Sequence, residues 1–78
     1  MIDNDKRIFI TKRFNSIVFD RFKIKYNEMG GTLLKASIEI ADRWSNVARF
    51  NPEEKWHVDL IDNIINSRLD TLESILKK

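Results

Sequence analysis

The sequence predicts a mainly helical fold in which one short N-terminal strand precedes three helices, with an all-helical three-helix bundle as the alternative. Apolar residues recur at steps of three and four along most of the chain, which predicts helices. The only turn signals are Gly30-Gly31 and Asn51-Pro52, and they divide the chain into three parts. A β-branched and aromatic run near the N-terminus adds the strand.

The first element, residues 7–14 (RIFITKRF), has two interpretations. As a strand it places Ile8, Ile10 and Phe14 on one side, although Lys12 breaks this alternation. As a helix it places Ile10 and Phe14 on one face, because they are four residues apart. We predict the strand and keep the helix as the alternative.

Two helices are predicted after this strand. The first begins at Asn15 or Ser16, both of which are good N-cap residues, and ends at the glycine pair, which suits a left-handed C-terminal stop. The second runs from Thr32 to about Val47, where apolar residues again recur with helical spacing.

The last helix is predicted over residues 52–77. Asn51 is a suitable N-cap, Pro52 suits the first helical position, and Glu54 has the spacing of a capping box. A stripe of apolar residues follows at steps of three and four: Val58, Ile61, Ile65, Leu69, Leu72 and Leu76. Polar residues cover the other side, so this helix is amphipathic.

The composition favours a small binding protein over an enzyme. The 78 residues predict a single domain over 1–78 whose small core would benefit from a second copy of the chain. Cysteine is absent and His57 is the only histidine, so we expect no metal site, no cofactor and no catalysis. We predict that His57 is a surface or partly packed residue, and that Trp44 and Trp56 pin two helices together or lie in a dimer interface.

Basic residues are concentrated in the first part of the chain. The net charge is only +2, but seven basic residues and one acid occupy residues 6–25. This segment either attracts phosphates or forms an ordinary solvated surface. The charge pattern leaves both interpretations open.

The order of strand, helix, glycine-containing turn and second helix resembles the ribbon-helix-helix (Arc-type) DNA-binding proteins. The segments IFITKRF, NSIVFDRFKIKYNEM and GGT follow that order without a gap, so the resemblance covers residues 7–48. Lys12 and Ser37 depart from the family pattern, which favours apolar residues at these positions. Residues 52–77 would form an additional helix outside the family core.

The resemblance implies a homodimer in which the strands of two chains pair and enter the major groove of DNA. Because outward strand residues read base edges, it assigns that role here to Phe9, Thr11 and Arg13. An arginine can contact guanine through two hydrogen bonds, and a threonine can contact the thymine methyl group.

A separate feature predicts phosphate binding at the start of the second helix. The sequence TLLK has no acid in the first turn, so free backbone amides and the helix dipole favour an anion. The predicted phosphate-binding residues are Gly31, Thr32, Leu33 (through its amide) and Lys35. The remainder of the predicted basic face consists of Lys6, Arg7 and Lys12.

We therefore predict a small cytoplasmic regulator that binds double-stranded DNA sequence-specifically, of the repressor, plasmid-maintenance or antitoxin type, without contact to a membrane. The alternative is a small all-helical protein–protein interaction module, or an inhibitor of a larger enzyme, whose basic face meets an acidic protein surface. The C-terminal helix offers a further surface for a protein partner.

Overall fold

Three helices make up most of the protein in a computed structural model that describes residues 3–28 and 30–76. The helices are α1 (Asn4–Phe22), α2 (Gly31–Ser45) and α3 (Lys55–Leu76), and a short 3-10 helix, Tyr26–Glu28, lies between α1 and α2. The prediction of a mainly helical protein is confirmed. No strand occurs in the described residues, so the all-helical alternative describes the fold better.

The predicted strand over residues 7–14 is wrong, because this stretch lies inside α1. Asp3 caps the helix by accepting a hydrogen bond from the Lys6 backbone N–H, which starts α1 well before the predicted Asn15 or Ser16. Ile10, Phe14 and Val18 follow at steps of four and are fully buried. The helix satisfies its backbone hydrogen bonds internally, whereas a strand would need a second strand beside it.

The glycine pair does not end α1. That helix ends at Phe22, and Lys23 adopts the left-handed conformation (φ 57°) with its N–H 2.8 Å from the Phe19 carbonyl oxygen. Gly30 instead precedes α2 as its N-cap, in extended conformation (φ −72°). The predicted left-handed stop therefore occurs seven residues earlier, at a lysine.

The connection between α1 and α2 is attached to both helices through Tyr26. Its ring packs edge-on against Phe14, with the ring centroids 6.2 Å apart. Its hydroxyl oxygen lies 2.6 Å from that of Ser37, which donates a hydrogen bond to the Leu34 carbonyl. Ser37 is fully buried, and its polar hydroxyl is accommodated because it has two hydrogen-bonding partners, Tyr26 and the Leu34 carbonyl.

The last helix begins three residues later than predicted. Asn51 accepts a hydrogen bond from the Glu53 N–H through its side chain, but residues 52–54 form a turn and α3 starts at Lys55. The helix continues to Leu76, and residue 77 of the predicted range lies outside the described residues. None of the helices described is both long and apolar enough to cross a membrane.

Ion pairs between helices define their directions. Arg13 pairs with Asp62 and Arg21 pairs with Asp70, an advance of eight residues on both helices, so α1 and α3 run parallel. The Arg68–Glu39 pair links α3 to α2, which runs antiparallel to both because it connects their ends. Among the described residues, the core between the three helices contains twelve buried apolar side chains: Ile10, Phe14, Val18, Leu33, Ala36, Ile40, Ala41, Phe50, Ile61, Ile65, Leu69 and Leu72.

Candidate functional site

The arginines of α1 are bound to acidic residues of the other helices. The Nε atom of Arg7 lies 2.9 Å from Asp42 on α2. Arg13 donates two hydrogen bonds to the carboxylate of Asp62 on α3, and the one from its Nε atom is 2.9 Å long. These hydrogen bonds raise the pKa of the Arg13 guanidinium above its usual value. Three of the seven basic residues in the segment noted in the sequence, Arg7, Arg13 and Arg21, are therefore paired with carboxylates of α2 and α3.

The predicted base-reading residues do not form one surface. Residues two apart on a helix lie about 200° apart around its axis, so Thr11 projects away from the other two. Phe9 is half-buried, and its ring centroid lies 6.3 Å from that of Phe50. Arg13 is bound to Asp62 as described. These three residues therefore do not form the predicted strand surface that would contact DNA bases.

The remaining predicted basic residues have separate environments. The Lys6 ammonium donates a hydrogen bond to the Val47 carbonyl oxygen at 3.2 Å, and Arg7 pairs with Asp42. Lys12 is exposed and forms no ion pair within the described part of the chain. It is thus the cation on this face that is available to a partner.

The predicted phosphate-binding residues do lie together at the start of α2. Gly30 supplies no side-chain cap and the first turn contains no acid, as the sequence indicated. Gly31, Thr32 and Lys35 are exposed, whereas the side chain of Leu33 is buried and only its amide belongs to this site. Phosphate binding here stays a prediction.

His57 has a structural role that the sequence did not predict. It is 7% exposed, and its Nδ1 atom accepts a 2.8 Å hydrogen bond from the Asn51 backbone N–H. Its ring stacks on Phe50, with the centroids 5.9 Å apart. His57 was predicted to be a surface or partly packed residue, and the structure buries it instead. The turn signal at Asn51-Pro52, six residues earlier, was the available indication, because such turns leave backbone N–H groups in need of an acceptor.

Replacing His57 with alanine is expected to lower the free energy of unfolding by about 1–2 kcal/mol, because the Asn51 N–H loses its acceptor. Urea denaturation followed by circular dichroism measures the change. His57→Asn is the matched control, since an amide oxygen offers an acceptor where alanine offers none. Equal losses in both variants would contradict the assigned role of the hydrogen bond.

Beside His57 lies a small cavity, here called the aromatic pocket. Its volume is about 160 Å³, and its walls come from the end of α2, the connection and the start of α3. The lining residues are Trp44, Val47, Arg49, Phe50, Trp56, His57 and Leu60. Trp44 is half-buried, whereas Trp56 is 63% exposed, so the two tryptophans do not pin the helices in the same way.

A second apolar surface, here called the α1–α2 groove, is lined by residues of α1, α2 and the connection between them, and by none of the described residues of α3. It is an open groove of about 560 Å³ between α1 and α2. The residues that form it include Arg7, Ile8, Thr11, Lys12, Tyr26 and Ile38. Ile8 and Ile38 are 50% and 42% exposed, and Leu34 lies one turn before Ile38 at 38%.

Comparison with known proteins does not place the chain in a family. No protein-family model matches it, and no solved structure matches it. A segment of 27 residues is 59% identical to the ATP-dependent protease subunit HslV of Thermosipho africanus and 56% identical to that of Thermosipho melanesiensis. The match covers 35% of this chain and 15% of those proteins, which is too little to define a common fold.

Proposed function

We propose that the protein is a small helical protein–protein interaction module that binds an acidic, amphipathic helix of another protein in the α1–α2 groove. The observation that carries this proposal is the pair of large aliphatic side chains that line the groove, Ile8 on α1 and Ile38 on α2, both partly exposed, with the partly exposed Leu34 one turn before Ile38. An amphipathic helix laid into such a groove buries these side chains and its own apolar face.

The spacing on α2 supports a helical partner. Leu34 and Ile38 are four residues apart and lie one above the other on the helix surface. Ile8 of α1 lines the same groove as Ile38. A third helix can pack against two helices that border an apolar groove, because its rows of side chains fit between the rows of side chains on those helices.

The charges at the groove support an acidic partner. Lys12 and Arg7 line it, and no acidic residue does. Arg7 is engaged with Asp42, so Lys12 supplies the free positive charge. Opposite charge at the rim guides association and selects among partners, while the apolar floor contributes most of the affinity.

The structure gives less support to DNA binding. The arginines that would face phosphates or bases are bound to carboxylates of α2 and α3. Neutralised arginines contribute little to the release of counterions that drives binding to duplex DNA.

Titration of the isotope-labelled protein, followed by nuclear magnetic resonance, tests the proposal. The probe is a designed amphipathic helical peptide with glutamates beside its apolar stripe, and its control carries lysines in their place. We expect the acidic peptide to shift the amide signals of residues 8, 34 and 38, and the basic peptide to shift them far less. Duplex DNA of random sequence is expected to leave these signals unchanged at low salt.

Two matched variants show where the peptide binds. Ile38→Ala removes an exposed side chain from the groove and is expected to weaken peptide binding, whereas Ile75→Ala removes a similarly exposed one elsewhere and is not. Equal shifts with both peptides, or DNA binding that weakens steeply as salt rises, would overturn the proposal in favour of a nonspecific or a DNA-binding surface.

A further inference from the structure

The aromatic pocket carries the most exposed large apolar side chain in the described part of the protein. Trp56 is 63% exposed, although the indole is among the largest apolar groups a protein can bury. One edge of it contacts His57, with the ring centroids 3.7 Å apart, and the remainder faces solvent. Exposed tryptophans next to an apolar pocket are typical of binding interfaces, where they supply much of the affinity.

The cavity beside Trp56 has about the size that accepts one six-membered aromatic ring. Its volume is about 160 Å³, close to the roughly 150 Å³ of an engineered apolar cavity that holds one benzene molecule. Trp44, Phe50 and Leu60 form its apolar walls. The same end of the protein therefore offers both a projecting aromatic group and a space that fits one.

The surface around the aromatic pocket carries both basic and acidic residues, so it is complementary in charge to a second copy of itself. The basic residues Arg49 and Lys55 and the acidic residues Glu53 and Glu54 are all exposed. None of the four forms an ion pair within residues 3–28 and 30–76. In a symmetric dimer the same surface of both copies forms the interface. A surface with both basic and acidic residues can therefore pair its basic residues with the acidic residues of the second copy.

We propose that the occupant of the aromatic pocket is Trp56 of a second copy of this chain, which makes the protein a symmetric dimer. Each Trp56 enters the pocket of the other copy, and Arg49 and Lys55 of each face Glu53 and Glu54 of the other. This dimer uses the opposite end of α2 from Leu34 and does not depend on a partner in the α1–α2 groove. It also differs from the strand-paired dimer that the sequence predicted.

Sedimentation equilibrium of the whole chain over a dilution series tests the proposal. We expect a monomer–dimer equilibrium whose dissociation constant rises by about thirtyfold or more in Trp56→Ala, as for a central interface residue. Phe19→Ala is the matched control, because it removes another exposed aromatic side chain, from α1, and is expected to leave the constant unchanged. A wild-type monomer at every concentration, or an unchanged dimer in Trp56→Ala, would overturn the proposal.

Charge reversal provides an independent readout. A variant with Glu53→Lys and Glu54→Lys, and a second with Arg49→Glu and Lys55→Glu, are each expected to self-associate more weakly than the wild type. Mixing the two is expected to restore association as a heterodimer, because opposite charges then face each other. Failure of the mixture to associate, with both variants folded by circular dichroism, would count against the second copy as the occupant.

Both tryptophans of the chain line this pocket, so their fluorescence reports on it directly. Dilution of the wild type is expected to shift the emission towards longer wavelengths as Trp56 returns to water. A spectrum that does not change with dilution, while the sedimentation data show dimers, would assign the dimer to another surface and would overturn the proposal.

Discussion

Phe14→Ala is expected to leave much of the protein unfolded at room temperature. Phe14 is fully buried where α1 packs against the connection to α2, and its ring meets that of Tyr26 edge-on. Removing a buried phenylalanine ring costs about 3–5 kcal/mol, because apolar burial is lost and a cavity remains. A domain of this size has a total free energy of unfolding of about 4–12 kcal/mol. If the protein lies near the lower end of that range, the substitution removes most of its stability.

Urea denaturation, followed by circular dichroism in the far ultraviolet, measures the effect of Phe14→Ala. The matched control is Phe19→Ala on the same helix, because Phe19 is 46% exposed and its removal creates no cavity. The control is expected to change the free energy of unfolding by at most about 0.5 kcal/mol. Similar losses in both variants would show that the Phe14 ring does not lie in the core as described.

Arg21→Ala is expected to lower the free energy of unfolding by about 2–3 kcal/mol. Arg21 attaches the end of α1 to α3 through three hydrogen bonds, to the Asn66 carbonyl oxygen at 3.0 Å, to Asp70 at 2.7 Å and to Glu73 at 2.8 Å. Its side chain is 23% exposed, so these bonds are only partly screened by water. Asp70 is 72% exposed and contributes the smallest share.

The loss in Arg21→Ala is measured by the same denaturation experiment at low and at high salt. We expect part of it to disappear at high salt, because salt weakens the two ion pairs and leaves the hydrogen bond to Asn66. Lys12→Ala is the control, since Lys12 is an exposed cation of the same helix without an ion pair in the described residues. A loss no greater than that of the control would contradict the role of Arg21 in attaching α1 to α3.

The second and third helices were predicted from local signals. The apolar stripe of α3 was predicted to begin at Val58. Its members Ile61, Ile65 and Leu69 are fully buried, whereas Val58 is half-buried. For α2 the predicted range began one residue late and ended about two residues late. On α3 the amphipathic pattern is strong enough that packing and local preference agree. On α2 the predicted apolar stripe began with Leu34 and Ile38, which are 38% and 42% exposed, while Leu33 and Ile40 are buried instead.

The first element was predicted wrongly because its composition and its packing favour different structures. Isoleucine, phenylalanine and threonine are common in strands, and residues 7–14 contain little else besides basic residues. The burial of Ile10, Phe14 and Val18 against α2 and α3 favours the helix. Preference for strands depends on context, and the described residues of this chain contain no second strand that could complete a sheet.

The candidate surfaces were predicted only in part. The basic residues of α1 were recognised, but their carboxylate partners are 35 to 52 positions away in the chain and have no local signal. The C-terminal helix was predicted to offer a surface for a protein, and Trp56 and Leu60 do lie on its exposed side. The cavity beside them depends on three separate segments meeting, which the chain order does not show.

Local information in the chain was sufficient for the helical class, the amphipathic face of α3 and the absence of an acidic first turn in α2, because each depends on residues within a few positions of one another. The conformation of residues 7–14, the neutralisation of the α1 arginines, the burial of His57 and the aromatic pocket depend on contacts between distant segments. Such contacts form only when the three helices pack, since burial and charge pairing are then shared between residues far apart in the chain.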